Sequence, residues 1–142
     1  MGTFKYFNPN PQYVAMKNGK NKAWKRDDWP VRAVCACTGM AWDAAFKRLM
    51  TCAHACYDLP TSKPVINKFL TSIGYRFVPG GRPKIGERRP TVSEFATEHA
   101  SDICVCNTPG KCVCTRNGFY LDTDEKIGDT VVYSYWIREN NN

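Results

Sequence analysis

Apolar side chains recur three and four positions apart through much of the first half of this sequence. That spacing places them on one face of an α-helix, and it defines three segments, at 29–39, 42–57 and 62–74. Asp28 can cap the first segment, and glycine follows the first and third, as is common at helix C-termini. We therefore predict three core helices. Their apolar residues are Val31, Ala33, Val34 and Ala36 in the first, Ala45, Phe46, Leu49, Met50 and Ala53 in the second, and Val65, Ile66, Phe69, Leu70 and Ile73 in the third.

The second half of the chain changes to short segments of strand-like composition. Thr91-Val92-Ser93-Glu94 is a capping box, which predicts a short fourth helix ending near His99. Asn117-Gly118 is a favourable two-residue hairpin turn. Because helices come first and paired strands last, we predict an α+β fold with N-terminal helices packed on a C-terminal antiparallel β-sheet. The predicted strands are 75–78, 102–106, 111–116, 119–122 and 131–137.

The length of 142 residues suits one compact domain. Residues 1–28 are predicted to form an extended arm, because Asn8-Pro9-Asn10-Pro11 opposes a helix. Residues 29–138 would then form the α+β domain, and residues 139–142 a polar tail. No apolar run approaches the ~20 residues of a membrane span, and the first residues lack a secretory-signal pattern. We therefore expect a protein made in a cytoplasm and no membrane partner.

The net charge of +7 comes largely from two basic clusters. Such clusters bind phosphate backbones or face an acidic protein surface. Neither cluster is interleaved in sequence with the aromatic residues on which single-strand binders stack bases, so nucleic acid is the alternative partner rather than the favoured one. The first cluster is Lys17, Lys20, Lys22, Lys25 and Arg26, and the second is Arg82, Lys84, Arg88 and Arg89.

A series of short motifs runs in order through nearly the whole chain. They are Phe7-Asn8-Pro9-Asn10-Pro11, Val31-Arg32-Ala33-Val34, Thr38-Gly39, Trp42-Asp43, Thr91-Val92-Ser93-Glu94-Phe95, His99, Asn117-Gly118, Asp122-Thr123 and Tyr133-Ser134-Tyr135-Trp136. In the order and spacing of these motifs the sequence resembles the papain-like cysteine hydrolases of bacteriophages and prophages. The resemblance implies a papain-like fold, in which helices carrying the nucleophile pack on a sheet carrying the base.

The resemblance also implies three catalytic positions, and two of them are replaced here. The family's nucleophilic cysteine follows an aspartate at the start of the first helix, where the helix dipole lowers the pKa of the thiol. Here Trp29 follows Asp28. The family's catalytic histidine follows a glycine on a central strand, but Lys111 follows Gly110, and Asp122 matches the residue that orients the histidine. We therefore expect an inactive enzyme in which Lys111 and Asp122 form an ion pair.

The two histidines have ordinary structural positions in this sequence. His54 lies in the second predicted helix between Cys52 and Cys56, and His99 ends the fourth, where a cation suits the helix dipole. A relocated pair of cysteine and histidine would restore hydrolase activity. Residual cysteine hydrolysis is accordingly a second alternative function.

Eight cysteines are an unusually high number for so short a chain, and three interpretations stay open. They can be small buried hydrophobic residues. They can form disulfides, because opposed residues of an antiparallel hairpin lie within disulfide range. They can also bind zinc, although structural zinc sites usually have two to four residues between paired cysteines rather than one. The candidate disulfides are Cys104 with Cys114, Cys106 with Cys112, and Cys52 or Cys56 with Cys35 or Cys37.

A fold can outlast its original chemistry, so an inactive hydrolase of a phage suggests a retained interaction surface. We expect a virion structural or assembly component, such as a decoration, neck, collar or tail protein. Its partners would be other phage structural proteins in an oligomeric assembly, without a cofactor or metal. Disulfides would suit a particle released into oxidising surroundings. The alternative is a host-takeover or nucleic-acid-associated protein that uses the basic clusters.

Overall fold

The structure, a computed structural model, describes residues 1–12 and 27–139. The first basic cluster, Lys17, Lys20, Lys22, Lys25 and Arg26, lies outside the described residues, as do residues 140–142 of the predicted tail. Within the described ranges the fold is α+β, with four α-helices and a mixed sheet of six strands. The predicted α+β class is therefore confirmed.

Three helices lie where the apolar spacing predicts them, and the fourth lies where the capping box predicts it. They are α1 (Trp29–Thr38), α2 (Trp42–Ala55), α3 (Lys63–Ser72) and α4 (Val92–Glu98). Helix α1 ends at Gly39, whose N–H donates to the carbonyl of Cys35, and the Ser62 hydroxyl caps α3 by accepting from the N–H of Val65. In α2 the predicted apolar face is only partly covered. Ala45, Leu49 and Ala53 are buried, whereas Phe46 and Met50 are exposed.

The strands are β1 (Thr3–Tyr6), β2 (Tyr75–Pro79), β3 (Ile103–Thr108), β4 (Lys111–Arg116), β5 (Phe119–Asp122) and β6 (Ser134–Arg138). Their order in the sheet is β1-β5-β4-β3-β6-β2. Strand β1 runs parallel to β5, and all the other pairs are antiparallel. The predicted purely antiparallel sheet is therefore wrong at this edge, and the predicted arm begins with a strand.

Both faces of the sheet are covered by helices. Helices α1, α2 and α3 pack on one face, and α4 packs on the other beside a short 3₁₀ helix at Glu125–Asp129. Strands β3 and β4 are consequently buried on both sides, and their side chains alternate between the two cores. Val105, Cys112 and Cys114 enter the first core, and Cys104, Cys106 and Val113 enter the second.

The hairpin between β3 and β4 has a different register from the predicted one. Its turn is Pro109-Gly110, and Gly110 adopts a φ of 78°, a combination typical of a type II turn. The turn sets Thr108 opposite Lys111, which places Cys104 opposite Thr115 and Cys106 opposite Val113. When the pairing register of two strands shifts by one residue, residues that would have faced each other on one side of the sheet lie on opposite sides. The predicted pairs of cysteines are therefore on opposite faces of the sheet.

The capping box of α4 is present and is reinforced by an arginine. The Thr91 hydroxyl accepts from the N–H of Glu94, while the Glu94 carboxylate accepts from the N–H of Thr91. Arg88 donates to both oxygens of that carboxylate at 2.7 Å. Hydrogen bonding from Arg88, aided by the Thr91 N–H, lowers the pKa of Glu94 to about 2.

This lowered pKa predicts a loss of stability in acid. The contribution of Glu94 is complete above its ordinary pKa of 4.5 and is lost as the pH falls from there towards 2. Urea unfolding at pH 6 and pH 3 should show a larger drop for the wild type than for Glu94→Gln, which keeps the shape but not the charge. The exposed Glu98, at the other end of the same helix, supplies the control Glu98→Gln. Identical drops in wild type and Glu94→Gln would contradict this role.

Candidate functional site

The residues at the three implied catalytic positions lie around the N-terminus of α1. Trp29 begins α1, Lys111 begins β4 and Asp122 ends β5, and α1 packs directly on β4. The ammonium of Lys111 lies 2.7 Å from Oδ2 of Asp122. The predicted ion pair is therefore confirmed. It is shielded from solvent, since the Asp122 side chain is only 6% exposed and that of Lys111 24%.

Two further charged residues, Arg32 and Asp28, extend this pair into α1. Nη2 of Arg32 lies 3.3 Å from Oδ1 of Asp122, and Nη1 contacts Oδ1 of Asp28 one turn earlier in the helix. This link is not among the predicted contacts. A signal was present, because Arg32 is a charged residue in an apolar helix and lies four positions after an acid. Lys111, Asp122, Arg32 and Asp28 form one chain of alternating charge, which we call the ion network.

Asp28 also holds two other parts of the fold. Its Oδ2 accepts from the side-chain amide of Asn10 at 3.0 Å and from the indole N–H of Trp42 at 2.9 Å. Asp28 is the N-cap residue of α1, as predicted, but its side chain makes no capping bond to the helix. The reason is that Asn10, Trp42 and Arg32 engage both of its oxygens. The Asn8-Pro9-Asn10-Pro11 motif thus places Asn10 at the start of α1.

The ion network contains two carboxylates and two cations, and it holds no nucleophilic sulfur and no imidazole. A guanidinium stays protonated at every physiological pH, and an ammonium bound to a carboxylate is a poor base. The carboxylate of Asp122 has a cation on each oxygen. The network can therefore stabilise the junction between α1 and the sheet, but its groups do not reproduce the activation of a thiol.

The indole of Trp29 occupies the start of α1. It is partly buried and packs against the core formed by α1, α2 and α3. It lines an apolar gap of about 10 Å³ together with Phe69, Val105 and Cys112, among other residues. That volume is at or below the minimum that a single water molecule needs. The space beside the implied nucleophile position is thus filled with apolar side chains.

All eight cysteines are free thiols, so the predicted disulfides are absent from the structure. Burial raises the pKa of Cys35 to about 11 and the pKa of Cys37, Cys104 and Cys112 to about 12. Burial also raises the pKa of Cys106 and Cys114 well above the ordinary value. Such thiols are poor nucleophiles because little thiolate is present. This supports their interpretation as small hydrophobic residues.

The two remaining cysteines, Cys52 and Cys56, lie half-buried towards the end of α2. Cys52 contacts the carbonyl oxygen of Val65 at 3.7 Å. The zinc interpretation fails on geometry, since the paired cysteines of β3 and β4 point to opposite faces of the sheet. Across the described residues, no three side chains of histidine, cysteine, aspartate or glutamate are placed to hold a metal ion.

Neither histidine meets a thiol within the described part of the chain. His54 is exposed on α2 and makes an edge contact with Tyr57, with ring centroids 6.3 Å apart. His99 follows α4 and stacks on Phe95, on the sheet face opposite to α1. Among the described residues, no hydrogen bond joins a histidine to a cysteine. The alternative of a relocated catalytic pair therefore has no support there.

The second basic cluster lies on the loop between β2 and α4. Arg88 is paired with Glu94, while Arg82 and Lys84 are exposed. Arg89 packs over the ring of Tyr133 at 5.3 Å. The structure therefore brings an aromatic residue to this cluster from a distant part of the chain, which the linear sequence does not reveal.

No protein-family model, curated protein or solved structure matches the chain. None of the helices within residues 1–12 and 27–139 combines the length and apolar character that a bilayer crossing requires.

Proposed function

We propose that this chain is a catalytically inactive papain-like phage protein that acts by binding other proteins, as a structural or assembly component of a virion. The observation that carries the proposal is the ion network at the start of α1. Lys111 and Asp122 are joined at 2.7 Å, and Trp29, at the position where the family carries its nucleophile, packs against the core of α1, α2 and α3. The residues at the implied catalytic positions, Trp29, Lys111 and Asp122, include neither a thiol nor an imidazole.

The fold supports the papain-like part of the proposal. In that family a helix N-terminus faces a sheet, so that the thiol and the imidazole meet. Here α1 packs on β4. Asp122, at the end of β5, contacts both Lys111 of β4 and Arg32 of α1. The six thiols buried in the two cores have raised pKa values, which argues against residual cysteine hydrolysis.

An exposed apolar surface on α2 supports a role in protein binding. Trp42 stacks on Phe46 with ring centroids 5.1 Å apart, and Phe46 and Met50 are 39% and 40% exposed. Beside them lies a cavity of about 130 Å³ that Pro30 and Pro60 also line. Contiguous exposed apolar residues of this kind commonly mark interaction sites. An assembly partner is the occupant that the proposal requires.

Restoring the replaced residues tests the implied geometry. In the double variant Trp29→Cys/Lys111→His, the new thiol would lie at a helix N-terminus near an imidazole that Asp122 orients. We expect iodoacetamide to alkylate it at pH 7 at least about tenfold faster than in the single variant Trp29→Cys, which keeps Lys111. Equal alkylation rates in two folded variants would count against the papain-like placement. The wild type should show no thiol-dependent turnover of peptide, amide or ubiquitin-type substrates.

The virion role is tested on particles. Mass spectrometry of purified particles from the phage or induced prophage that encodes this chain should find it in a fixed stoichiometry to the other structural proteins. Non-reducing preparation should leave the eight thiols unpaired, as they are in the structure. Absence of the chain from washed particles would defeat this part of the proposal.

A host-takeover or nucleic-acid-associated protein is the second candidate function. The observation that favours it is the position of Arg89 over Tyr133, because aromatic residues beside arginines are typical of surfaces that bind bases and phosphates. Binding to DNA or RNA that weakens steeply with salt would support this candidate.

A further inference from the structure

A cleft of about 340 Å³ lies between the loop 80–90, α4 and β6. It is separate from the ion network, because α4 packs on the sheet face opposite to α1. Its volume falls in the range of ligand pockets, roughly 300–1,000 Å³. Aromatic side chains and arginines line it together.

The aromatic wall of the cleft is an ordered stack of rings. His99 lies parallel to Phe95 with ring centroids 3.9 Å apart, and Tyr135 packs edge-on against Phe95 at 4.8 Å. Nδ1 of His99 lies 3.3 Å from the carbonyl oxygen of Phe95, which fixes the imidazole in this orientation. Tyr133, at the mouth of the cleft, is 40% exposed. These rings offer faces on which a planar ligand can stack.

Arg82 and Arg89 supply the positive charge of the cleft. In the described residues neither guanidinium has a carboxylate partner, whereas Arg88 is neutralised by Glu94. Arg89 is held in place, since its Nη1 donates to the carbonyl oxygen of Tyr133 at 3.3 Å and its guanidinium lies over the Tyr133 ring. An arginine positioned in this way binds a phosphate with charge-assisted hydrogen bonds.

Two carboxylates in the same lining restrict the charge of the ligand. Glu87 and Glu98 are exposed residues of the cleft and balance Arg82 and Arg89. Two arginines beside two carboxylates favour a single phosphate over a polyphosphate, because each further phosphate adds negative charge near Glu87 and Glu98. Glutamate can also accept hydrogen bonds from the amino groups of nucleobases. The lining therefore suits a ligand with one phosphate and one base.

The cleft is formed before any ligand arrives, because its loop is tied to β6 and α4. The N–H of Val132 donates to the carbonyl of Pro90 at 2.9 Å, and Arg88 binds Glu94 through both its terminal nitrogens. Gly80 lies so close to Tyr133 that a Cβ on it would be 1.7 Å from the Tyr133 carbonyl oxygen. Preorganisation of this kind lowers the entropic cost of binding.

We propose that this cleft binds a nucleoside monophosphate. The phosphate lies at Arg82 and Arg89, and the base stacks on Tyr133 and the ring wall of His99 and Tyr135. A free nucleotide and one nucleotide of a single strand present the same chemistry. This site is independent of the virion role, since its residues lie away from the ion network and from the exposed surface of α2.

Calorimetric titration of the full chain tests the proposal with adenosine and cytidine monophosphates, the two nucleosides, inorganic phosphate and a single-stranded oligonucleotide. We expect a monophosphate to bind at least about tenfold tighter than its nucleoside or phosphate alone. Arg82→Ala and Tyr133→Ala should each weaken binding about tenfold, whereas Tyr133→Phe should retain it. Arg82 is exposed and has no ion pair in the described chain, so its loss leaves the fold intact.

Arg48→Ala and Tyr57→Ala are the matched controls, because these exposed residues lie outside the cleft and should leave the affinity unchanged. Tighter binding of the oligonucleotide, with the same loss in Arg82→Ala and Tyr133→Ala, would support the site and identify a strand as the ligand. No saturable binding of a monophosphate at millimolar concentration would overturn the proposal. Equal affinity for inorganic phosphate, or equal losses in the control variants, would overturn it as well.

Discussion

Replacing Asp122 by alanine should lower the free energy of unfolding by about 3–5 kcal/mol, because removal of one partner from a buried ion pair leaves a charge without compensation. Asp122 is 6% exposed and accepts from both Arg32 and Lys111. Its loss therefore removes one carboxylate from two cations at once. Urea unfolding at neutral pH, followed by circular dichroism, measures the change directly.

Two variants calibrate this result. Lys111→Met should cost less than Asp122→Ala, because Asp122 then keeps its bond to Arg32. Glu139→Ala removes the carboxylate of an exposed ion pair, in which the side chain of Arg76 is 58% exposed and that of Glu139 47%. The free energy of unfolding should therefore change by no more than about 1 kcal/mol. A loss for Asp122→Ala no larger than that for Glu139→Ala would show that the ion network contributes nothing particular to stability.

Raising the pH above 9 should unfold the protein through its buried thiols. Burial raises the pKa of seven cysteines above 9.0, and six of these thiols lie in the two cores, so they remain protonated in the folded state while those of the unfolded chain ionise. The contribution of these thiols to the free energy of unfolding is therefore complete below pH 9. It is lost as the pH rises towards their pKa values in the folded state. Each such thiol removes about 1.4 kcal/mol per pH unit. Six together remove about 8 kcal/mol per pH unit, so about two units above pH 9 exceed a typical stability of about 5–15 kcal/mol, and unfolding is expected between about pH 10 and 11.

Thiolate absorbance at 240 nm and circular dichroism should change together in that transition. At pH 8 a disulfide reagent should modify the half-buried Cys52 and Cys56, and the other six only after unfolding. The single variant Cys56→Ser is the control, since it removes none of the core thiols and should leave the alkaline midpoint close to that of the wild type. Rapid modification of all eight thiols at pH 8 would contradict the burial that the structure shows.

The helices could be predicted from sequence because their signals are local. Apolar spacing, the Ser62 cap, the capping box at Thr91 and the glycine after α1 all act within a few residues, and each element forms where its signal lies. The pair of Lys111 and Asp122 was predicted by a different route. It followed from the resemblance, which placed both residues in one site.

The register of the hairpin could not be predicted in the same way. Cys104–Cys106 and Lys111–Arg116 allow several loop lengths, and the choice falls to Pro109-Gly110. Strand β1 was missed for a related reason. Its four residues have no stability of their own and depend on pairing with β5, near the other end of the chain. Contacts between distant segments decide both features.

The cleft at loop 80–90 was missed because no single segment contains it. The arginines come from the loop, the imidazole from the end of α4, and Tyr133 and Tyr135 from the neighbourhood of β6. In the linear sequence the basic cluster has no aromatic neighbours, which argued against base stacking. Only the packing of β6 beside β2 and α4 brings the two types of side chain together.

The parallel pairing of β1 with β5 has a consequence for the order in which the chain folds. Strand β1 leaves the ribosome before every other strand of the sheet, but Thr3 pairs with Phe119, which is synthesised after all four helices. Closing so long a loop is entropically costly, so this pairing forms late. The helices must first collapse through their apolar faces. Asn10 follows β1 and Asp122 ends β5. Their bonds to Asp28 and Lys111 therefore complete the ion network at the last stage of folding.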